Sequence, residues 1–387
     1  MKTDITIVGA GLAGLIASIK FSQMGYKVIC IDFEGEKNRK NDIRSTALLL
    51  PSINFLDELG AWTQIKSYAA PLRAMRITDI SNEQKIHELE FHANEIGEEA
   101  FGYNVQNQTL YNNLASFSKK CNNFDFIHND KFINVRTRTN SNFIELKPGL
   151  IIQSKLLIGA DGRNSSVRDK LKLSIKTKAY NQNALAFKVK HEKPHENVSI
   201  EIYKSGGPFT IIPLADQKKS AIIWMDSVNN IREIIKLSKA EFNKVITNRS
   251  GNCLGPLSQI SELTNWPIIN QYAKNVTGER SILIAEAAHV LPPIGAQGLN
   301  MSIQDIKTLA NIVDGEQDPG SLHLLKIYEK KRNTNSKLRI KLIDGLNHAS
   351  RFNKSHALKA RSMAIQLIAS SPKLKNILIN AGLGELT

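Results

Sequence analysis

Three glycines near the start of the chain have the spacing of a dinucleotide-binding turn. Gly9, Gly11 and Gly14 directly follow the apolar run 5–8 and open a helical pattern. The first glycine of such a turn permits the tight bend, the second lets the backbone approach a pyrophosphate, and the third lets the helix pack on the strand. Asp32 ends the next apolar strand, where an acid would accept a hydrogen bond from a ribose hydroxyl. The pattern predicts a dinucleotide site without separating FAD from NAD.

A run rich in proline and glycine late in the chain has the residue types to hold a flat ring. It extends from Leu283 to Asn300 and ends in Pro292-Pro293-Ile294-Gly295-Ala296-Gln297-Gly298-Leu299-Asn300. Prolines fix the backbone, and glycines let its amides come close to a planar ligand. A helix that begins near Leu299 would point its positive end at such a ligand and stabilise negative charge on it. The residues expected at this site are Pro293, Gly295, Ala296, Gly298, Leu299 and Asn300.

A third segment follows an apolar strand in the middle of the chain. It reads Gly159-Ala160-Asp161-Gly162-Arg163-Asn164-Ser165-Ser166-Val167-Arg168. On its residues alone, an Asp-Gly turn followed by serine and arginine is equally typical of a simple capped turn. The segment resembles the Gly-Ala-Asp-Gly-x-x-Ser-x-x-Arg signature of the flavin-dependent aromatic hydroxylases, the class of para-hydroxybenzoate hydroxylase. That resemblance implies that Asp161 and Gly162 lie near the FAD pyrophosphate and help to handle the nicotinamide reductant.

The late run resembles the second flavin signature of the same family, with two departures among the cofactor residues. The family has Gly-Asp where this chain has Ala285-Glu286, so the carboxylate expected to hold the ribityl chain is one methylene longer. Gln108 stands where the family usually has an arginine that would help to neutralise the flavin phosphates. Arg44, in the run Arg44-Ser45-Thr46-Ala47-Leu48, agrees with the family arginine that contacts FAD. We therefore expect Glu286 and Gln108 to contact FAD and to affect the affinity of the site for FAD.

Further segments narrow the resemblance, which covers residues 4–384, to the UbiH/UbiF-type hydroxylases of ubiquinone biosynthesis. They are the Ala296–Asn300 run, the Arg44 run with Leu59-Gly60-Ala61-Trp62, and the tail elements Tyr328-Glu329-Lys330-Lys331-Arg332, Pro372-Lys373-Leu374-Lys375 and Ala381-Gly382-Leu383-Gly384. The resemblance implies an FAD-dependent monooxygenase that hydroxylates the aromatic ring of a prenylated phenol, with NAD(P)H as reductant and O2 as co-substrate. In this family the reduced flavin acts through a C4a-hydroperoxide, so few side chains need be acids or bases, and we assign no catalytic side chain.

The composition indicates a globular protein with a basic surface. The 387 residues are 42% hydrophobic, enough for a large core, and carry a formal net charge of +15. Basic residues are spread along the chain rather than interleaved with aromatics, so we expect no nucleic-acid partner. Two explanations of the charge stay open: a general lysine-rich composition, or attraction to a membrane surface or to other ubiquinone-biosynthesis proteins. We expect a cytoplasmic protein, peripheral to the inner membrane under the second explanation.

The three cysteines give no sign of a metal site or a disulfide framework. Cys30, Cys121 and Cys253 are far apart and have neither a Cys-x-x-Cys spacing nor a neighbouring histidine pair. Cys30 lies within an apolar strand pattern, where a buried thiol is the expected state. We therefore predict no bound metal.

The order of patterns predicts an α/β protein with interleaved domains. Helices and apolar strands surround the glycine motifs, whereas short alternating strands fill the middle of the chain. We expect a Rossmann-like FAD-binding domain from residues 1–71, 106–174 and 276–320, and an antiparallel-sheet substrate domain from 72–105 and 175–275. We expect residues 321–387 to form a basic, helical C-terminal region. Helices are expected at 15–23, 51–59, 110–117, 232–246 and 299–312.

Alternatives to the hydroxylase interpretation concern both the chemistry and the class of protein. His289 lies between an apolar strand and a Pro-Pro pair, and we favour a packed core histidine over a general base there. A flavin-dependent reductase of the same fold, acting on a prenyl chain, is a rival within the enzymes. A non-catalytic or weakly FAD-binding scaffold subunit of a biosynthetic complex is a rival of another class, favoured by Ala285, Glu286 and Gln108. The substrate pocket is expected on the middle sheet, with no residue named.

Overall fold

Three β-sheets form the framework of the protein, and helices pack against them. The computed structural model describes residues 1–34, 42–80, 86–147, 149–204 and 206–351, with 363, 367–368 and 370–383 nearer the C-terminus. Both glycine turns and the late proline–glycine run lie within these residues. Parts of the predicted C-terminal region, among them Gly384 of the tail motif, lie outside them.

An eight-stranded sheet carries both glycine turns. Its central strands are parallel, in the order Ser281–Leu283, Ile151–Gly159, Lys2–Val8, Val28–Asp32 and Phe124–His128. Their core side chains, such as Ile5 and Ile7, are fully buried, as expected of a parallel sheet covered on both faces. The carboxyl ends of adjacent parallel strands meet at one edge, where ligands bind in sheets of this type. Antiparallel strands at the margins are Thr277–Gly278, Ser141–Glu145 and Asn134–Arg138.

The helix after the first glycine turn is the centre of the largest apolar core. It spans Leu12–Gln23 and begins three residues earlier than predicted. It packs against the helices Asn107–Ser118 and Gln297–Val313. Leu325 and Tyr328 of the long C-terminal helix belong to the same apolar cluster. The turn, the late run and the C-terminal region therefore share one core.

A nine-stranded sheet fills the middle of the chain, as the alternating patterns predict. All its pairs are antiparallel except the parallel pair of Ala74–Asp79 with Val198–Tyr203. Alternate side chains along its strands point into an apolar cluster, which side chains of the two helices Val228–Ile235 and Lys239–Arg249 complete. The other strands are His289–Val290, Thr264–Ala273, Ile175–Lys190, Lys219–Ser227, Pro208–Pro213, His87–His92 and Ser258–Gln259.

The predicted single helix over 232–246 is wrong, because the chain forms two helices there. The first ends at Ile235, and a capping box opens the second. Ser238 Oγ accepts a hydrogen bond from the Glu241 N–H, while the Glu241 carboxylate accepts one from the Ser238 N–H at 3.0 Å. This reciprocal pairing satisfies N–H groups that a helix start leaves without partners, so a new helix begins. The Ser-x-x-Glu spacing was the sequence signal for it.

The remaining elements are a small sheet, two C-terminal helices and several shorter helices. A small sheet joins Ser45–Leu49, Gly102–Gln106 and Ala70–Pro71. The long C-terminal helix spans Leu322–Arg351, and a further helix spans Pro372–Leu383. Shorter helices are Leu50–Glu58, Trp62–Lys66, Ala93–Ile96 (a 3-10 helix), Ser166–Lys170 and Ala285–Ala288.

The predicted fold class is confirmed by this arrangement of a parallel sheet, an antiparallel sheet and C-terminal helices. The domain boundaries stay a prediction. The strand His289–Val290 pairs with the nine-stranded sheet although its numbers fall in the predicted FAD-binding domain. Within the described residues, no helix combines the length and apolarity that crossing a bilayer requires.

The contact between the first turn and its helix leaves no room for a side chain at Gly14. A Cβ there would lie 1.8 Å from the Gly9 carbonyl oxygen. We expect Gly14→Ala to lower the free energy of unfolding by about 3 kcal/mol, because overpacking forces the turn and helix apart. Urea denaturation measures this change.

Gly345→Ala is the matched control, because a Cβ at Gly345 in the long helix meets nothing within 4 Å. It should raise the free energy of unfolding by up to about 1 kcal/mol, through the helix propensity of alanine. A Gly14→Ala protein as stable as the unaltered chain would contradict the close packing of helix on turn.

Candidate active site

The two glycine turns touch each other at the carboxyl edge of the parallel sheet. Gly9 has a φ of +103°, and a Cβ on it would lie 2.4 Å from the Ala160 carbonyl oxygen. Gly11 directly precedes the helix Leu12–Gln23, whose N-terminus has no side-chain cap. The first N–H groups of the helix are therefore available to an anion such as a phosphate.

Asp32 closes the adjacent strand, where the sequence predicted it, and its carboxylate already holds the turn. Its Oδ2 accepts a hydrogen bond from the Ala10 N–H, and its Oδ1 accepts one from the Glu34 N–H at 2.7 Å. The side chain is 5% exposed. Asp32 thus organises the first turn, and its predicted contact with a ribose stays a prediction.

Asp161 shapes the second turn in a similar way. Its carboxylate accepts hydrogen bonds from the Ser165 hydroxyl at 2.5 Å and the Val167 N–H at 3.1 Å, and so caps the short helix that follows. Burial raises the pKa of the Asp161 carboxyl, and these hydrogen bonds offset part of the rise. Gly162 continues the turn with a φ of +80°, which favours glycine.

The backbone at Ala285, where the family has a glycine, adopts a conformation that favours glycine. Ala285 has a φ of +55°, a left-handed conformation that costs an alanine about 1–2 kcal/mol and costs glycine little. The family glycine at this position therefore has a physical reason, and this chain carries the strain. The Glu286 carboxylate lies 3.4 Å from Nε of Arg163, which comes from the second turn. This half-exposed ion pair joins the second glycine turn to the late run.

A buried charged cluster holds the late run in place. Oδ2 of Asp305 accepts a hydrogen bond from the Ala285 N–H at 3.1 Å and lies 2.7 Å from Nε2 of His289. Oδ1 of the same carboxylate accepts one from Nε of Arg332 at 2.7 Å. Burial alone would raise the pKa of Asp305, but the charges of Arg332 and His289 outweigh it and lower the pKa. His289 is thus a packed, hydrogen-bonded core group.

The helix Gln297–Val313 begins two residues earlier than predicted, and its N-terminus lies at the cavity described below. Its N-cap, Ala296, has a φ of +56°. Asn300 anchors the first turn: its Nδ2 donates to the Ala47 carbonyl at 2.8 Å, and its Oδ1 accepts from the Leu49 N–H at 2.9 Å. Asn300 thereby fixes the helix to the small sheet.

Arg44 is held at the same place by an ion pair. Its guanidinium donates two hydrogen bonds of 2.8 Å to the Asp42 carboxylate, which also accepts one from Nδ2 of Asn107. Burial alone would raise the pKa of Asp42, but the hydrogen bonds and charge of Arg44 lower it on balance. The neighbouring Gln108 donates to Asn112 at 2.9 Å, whereas its Oε1 is buried without a hydrogen-bond donor among the described residues.

A cavity of about 400 Å³ lies where the nine-stranded sheet, the small sheet and the late run meet. The helix Pro372–Leu383 borders it through Leu378, Ile379, Gly382 and Leu383. The predicted site residues that line it are Arg44, Glu286, Pro293, Gly295, Ala296, Gly298 and Leu299. The predicted residues outside its lining are Gly9, Gly11, Gly14, Asp32, Gln108, Asp161, Gly162 and Asn300.

Sequence reasoning missed several functional candidates. Asp305 was an acid on the apolar side of a predicted helix, which is a detectable signal for a buried ion pair. Arg163 lies inside the second motif but was not singled out, and its pairing with Glu286 depends on the fold. Glu201, on the cavity face of the middle sheet, gave no motif signal, and the tail motif that contains Gly382 and Leu383 gave no sign that these residues border the cavity.

The parallel sheet, the glycine turn with an uncapped helix, and the adjoining cavity define a dinucleotide-binding flavoprotein. The chain belongs to the FAD binding domain family, whose model matches residues 2–342. All of the predicted FAD residues fall in this range, and FAD is its cofactor.

Individual relatives confirm the predicted resemblance to the hydroxylases of ubiquinone biosynthesis. The chain is 25% identical to the ubiquinone hydroxylase UbiL of Rhodospirillum rubrum, with 99% of this chain and 90% of the relative covered. It is also 25% identical to the 3-demethoxyubiquinol 3-hydroxylase of Escherichia coli, with 85% of each covered. The p-nitrophenol 4-monooxygenase PnpA of Pseudomonas putida has the same fold, with a TM-score of 0.82, 16% identity and coverage of 99% and 98% of the two chains.

The strain at Ala285 generates a prediction about stability. Ala285→Gly should raise the free energy of unfolding by about 1 kcal/mol, because glycine adopts the left-handed conformation without a clash. Ala287→Gly, two residues later in the short helix, should lower it by about 1 kcal/mol. Thermal and urea denaturation of the two variants provide the measurement. Equal destabilisation by both substitutions would argue against a strained Ala285.

The charged cluster generates a prediction about pH. Asp305→Asn leaves Arg332 buried beside a neutral group and should lower the free energy of unfolding by about 3–5 kcal/mol at pH 7. Because the folded-state pKa of Asp305 is lowered, the contribution of its carboxylate is complete above an ordinary carboxyl pKa of about 4 and is lost as the pH falls through the folded-state value.

The difference between wild type and Asp305→Asn should therefore shrink below about pH 4, as urea denaturation at a series of pH values measures. Asp169→Asn, at a carboxylate that is 74% exposed, is the control and should change stability by less than about 0.5 kcal/mol. A constant difference down to pH 2 would exclude this role for the Asp305 carboxylate.

Proposed function

We propose that this protein is an FAD-dependent monooxygenase that hydroxylates the aromatic ring of a prenylated phenol in ubiquinone biosynthesis. The observation that carries the proposal is the mainly apolar cavity between the late run and the middle sheet. It offers one wall for a flavin ring and a facing wall for a phenol. Reduced FAD, when bound, supplies the activated oxygen. One atom of O2 enters the ring, the other leaves as water, and NAD(P)H provides the two electrons.

The residues present fit an FAD molecule. The uncapped N-terminus of the helix Leu12–Gln23 suits a pyrophosphate, and a Cβ built at Gly298 meets nothing within 4 Å, which leaves space beside the late run. The buried Oε1 of Gln108 has no donor among the described residues, and a cofactor hydroxyl could supply one. Residues proposed to hold FAD are Gly9, Gly11, Gly14, Asp32, Arg44, Gln108, Asp161, Gly162, Glu286, Pro293, Gly295, Ala296, Gly298, Leu299 and Asn300.

The work of the protein in this reaction is positioning and exclusion of water. The N-terminus of the helix Gln297–Val313 places its positive end at the cavity and stabilises negative charge on the ring. Apolar residues such as Leu49 and Ile223 line the cavity and keep water from the reactive oxygen. Glu286 and Arg163 present charge at its edge, where the nicotinamide reductant would approach.

The surface of the helix Pro372–Leu383 is the proposed path for the prenyl chain. Ile379 and Leu383 are buried against the middle sheet, whereas Leu374, Ile377 and Leu378 are 37–52% exposed. An apolar surface beside a cavity of this kind suits a long hydrocarbon chain and the edge of a lipid bilayer. The net charge of +15 favours an anionic membrane surface, which is the partner we propose over a protein complex.

The relatives support the substrate class. One is named a ubiquinone hydroxylase and another a 3-demethoxyubiquinol 3-hydroxylase. Both names describe oxidation of a ring on the way to ubiquinone. This chain covers 85% or more of each relative, so the same ring chemistry is proposed for the whole of it.

The test combines cofactor binding with turnover. The purified protein should show flavin absorption bands with one FAD per chain, and a phenol with a short prenyl chain should stimulate NAD(P)H oxidation and oxygen uptake. Mass spectrometry with 18O2 should find one labelled atom in the ring product. NAD(P)H oxidation with reduction of the prenyl chain and no labelled oxygen would instead indicate the flavin-dependent reductase.

The scaffold alternative is decided by titration with FAD. If Glu286 weakens the site, Glu286→Asp should tighten FAD binding by about tenfold, because the shorter carboxylate reaches the ribityl hydroxyls as in the family. Glu233→Asp, at an exposed helix position, is the control and should leave affinity unchanged. A protein that takes up no FAD, with or without Glu286→Asp, would refute the monooxygenase.

A further inference from the structure

One strand of the middle sheet presents polar side chains to the cavity and apolar ones to the core. Ile200 and Ile202 belong to the apolar cluster under the two helices of this sheet. Ser199 and Glu201 alternate with them and line the cavity. Because side chains along a strand alternate between faces, this division follows from the register of the strand.

The neighbours of Glu201 on its face of the sheet are small, apolar or hydroxyl-bearing, apart from the buried acid Asp79, which lies opposite Tyr203. The cross-strand partners of Glu201 are Thr210 on one side and Ile77 on the other. Ile212, Ala221 and Ile223 continue the same wall. A carboxylate in such surroundings loses its hydration without gaining a cation, and this arrangement costs stability.

Glu201 is 5% exposed, and no ion pair of its side chain is found within the described part of the chain. The Tyr203 hydroxyl, two residues along the same face, donates a hydrogen bond to its Oε1. Burial raises the pKa of the Glu201 carboxyl, with Tyr203 opposing the rise. A carboxylate that is buried at a cavity wall without a cation holds a proton more tightly than an exposed one, which makes Glu201 a candidate functional group.

We propose that Glu201 is the residue that binds the phenol hydroxyl and accepts its proton during hydroxylation. This inference rests on the proposed function and adds to it the side-chain base that the sequence did not assign. A phenolate ring is richer in electrons than a phenol ring, so it reacts faster with an electrophilic oxygen. A buried carboxylate at hydrogen-bonding range of the hydroxyl supplies both orientation and basicity.

The proton balance is simple. As the ring is attacked, the O–H bond of the phenol breaks and its proton bonds to a Glu201 oxygen, while the electron pair of that bond forms a ring C=O. A ring electron pair forms the new C–O bond as the O–O bond of the activated oxygen breaks. The attacked carbon then loses its hydrogen as a proton to the second oxygen atom, which leaves as water, and the carboxylic acid returns its proton to the phenol oxygen as the ring becomes aromatic again. Glu201 is neither oxidised nor reduced, and Tyr203 keeps its hydroxyl proton throughout.

The first measurement is ligand binding to the FAD-loaded protein, which is detected through changes in the flavin absorption spectrum. The probes are a phenol with a short prenyl chain and its methyl ether, which lacks the O–H donor. The unaltered protein should bind the phenol at least about tenfold more tightly than the ether, and Glu201→Met, which removes the acceptor at similar volume, should abolish this preference. Glu233→Gln, on an exposed helix, should keep it.

The second measurement is single-turnover hydroxylation by Glu201→Gln. Loss of a general base should slow hydroxylation of the prenylated phenol by about 100-fold while the flavin spectrum stays unchanged. The loss should shrink for halogen-substituted phenols, whose hydroxyls ionise more readily and need a base less. A merely structural role would slow all phenols equally.

The outcomes separate the two proposals. A phenol preference that depends on Glu201, in a protein without hydroxylation, would refute the proposed function and keep the assignment of the phenol site. Hydroxylation at an equal rate by wild type and Glu201→Gln, or a loss that is the same for every phenol, would overturn the role of Glu201 and keep the function.

Discussion

The carboxylate of Asp305 is the interaction on which the candidate site depends. It is 2% exposed and binds three groups from two other segments of the chain: the Ala285 N–H, the ring of His289 and the guanidinium of Arg332 on the long C-terminal helix. Removing one partner of a buried charge cluster is costly, because the remaining charge has no water to replace it. The short helix that carries Glu286 is therefore held by this carboxylate in addition to the apolar packing of Ala287 and Ala288.

The cavity depends in turn on this fixed late run. One wall is the segment from Leu291 to Leu299, which Asn300 bonds to the small sheet; the opposite wall is the antiparallel sheet that carries Glu201. The two walls thus come from different kinds of structure, a loop that leads into a helix and an antiparallel sheet. In the proposed function the first wall faces the flavin and the second faces the substrate, so a single polar group on the second wall, such as Glu201, would have a large effect on the substrate.

Much of the candidate site could be predicted because its motifs are local. The glycines at 9 and 14 are required by contacts of 2.4 and 1.8 Å, and Gly162 by its positive φ, so residue type and spacing carried the information. The split of the helix near Ser238 was overlooked although its capping box is also local. The departure at Ala285 could be noted in the sequence, but its meaning, a left-handed alanine, required the backbone angle.

By itself, the sequence determined the class of fold and the two glycine turns, because short glycine and proline patterns constrain the backbone within a few residues; the cofactor followed from its resemblance to the flavin-dependent hydroxylases. The tertiary structure decided which of these residues share a cavity, that Asp305 pairs with His289 and Arg332, and that Glu201 faces a cavity rather than solvent. These contacts join residues far apart in the chain, or depend on which face of a strand is buried. Strand register and helix packing set them, and neither can be read from the spacing of residues in one segment.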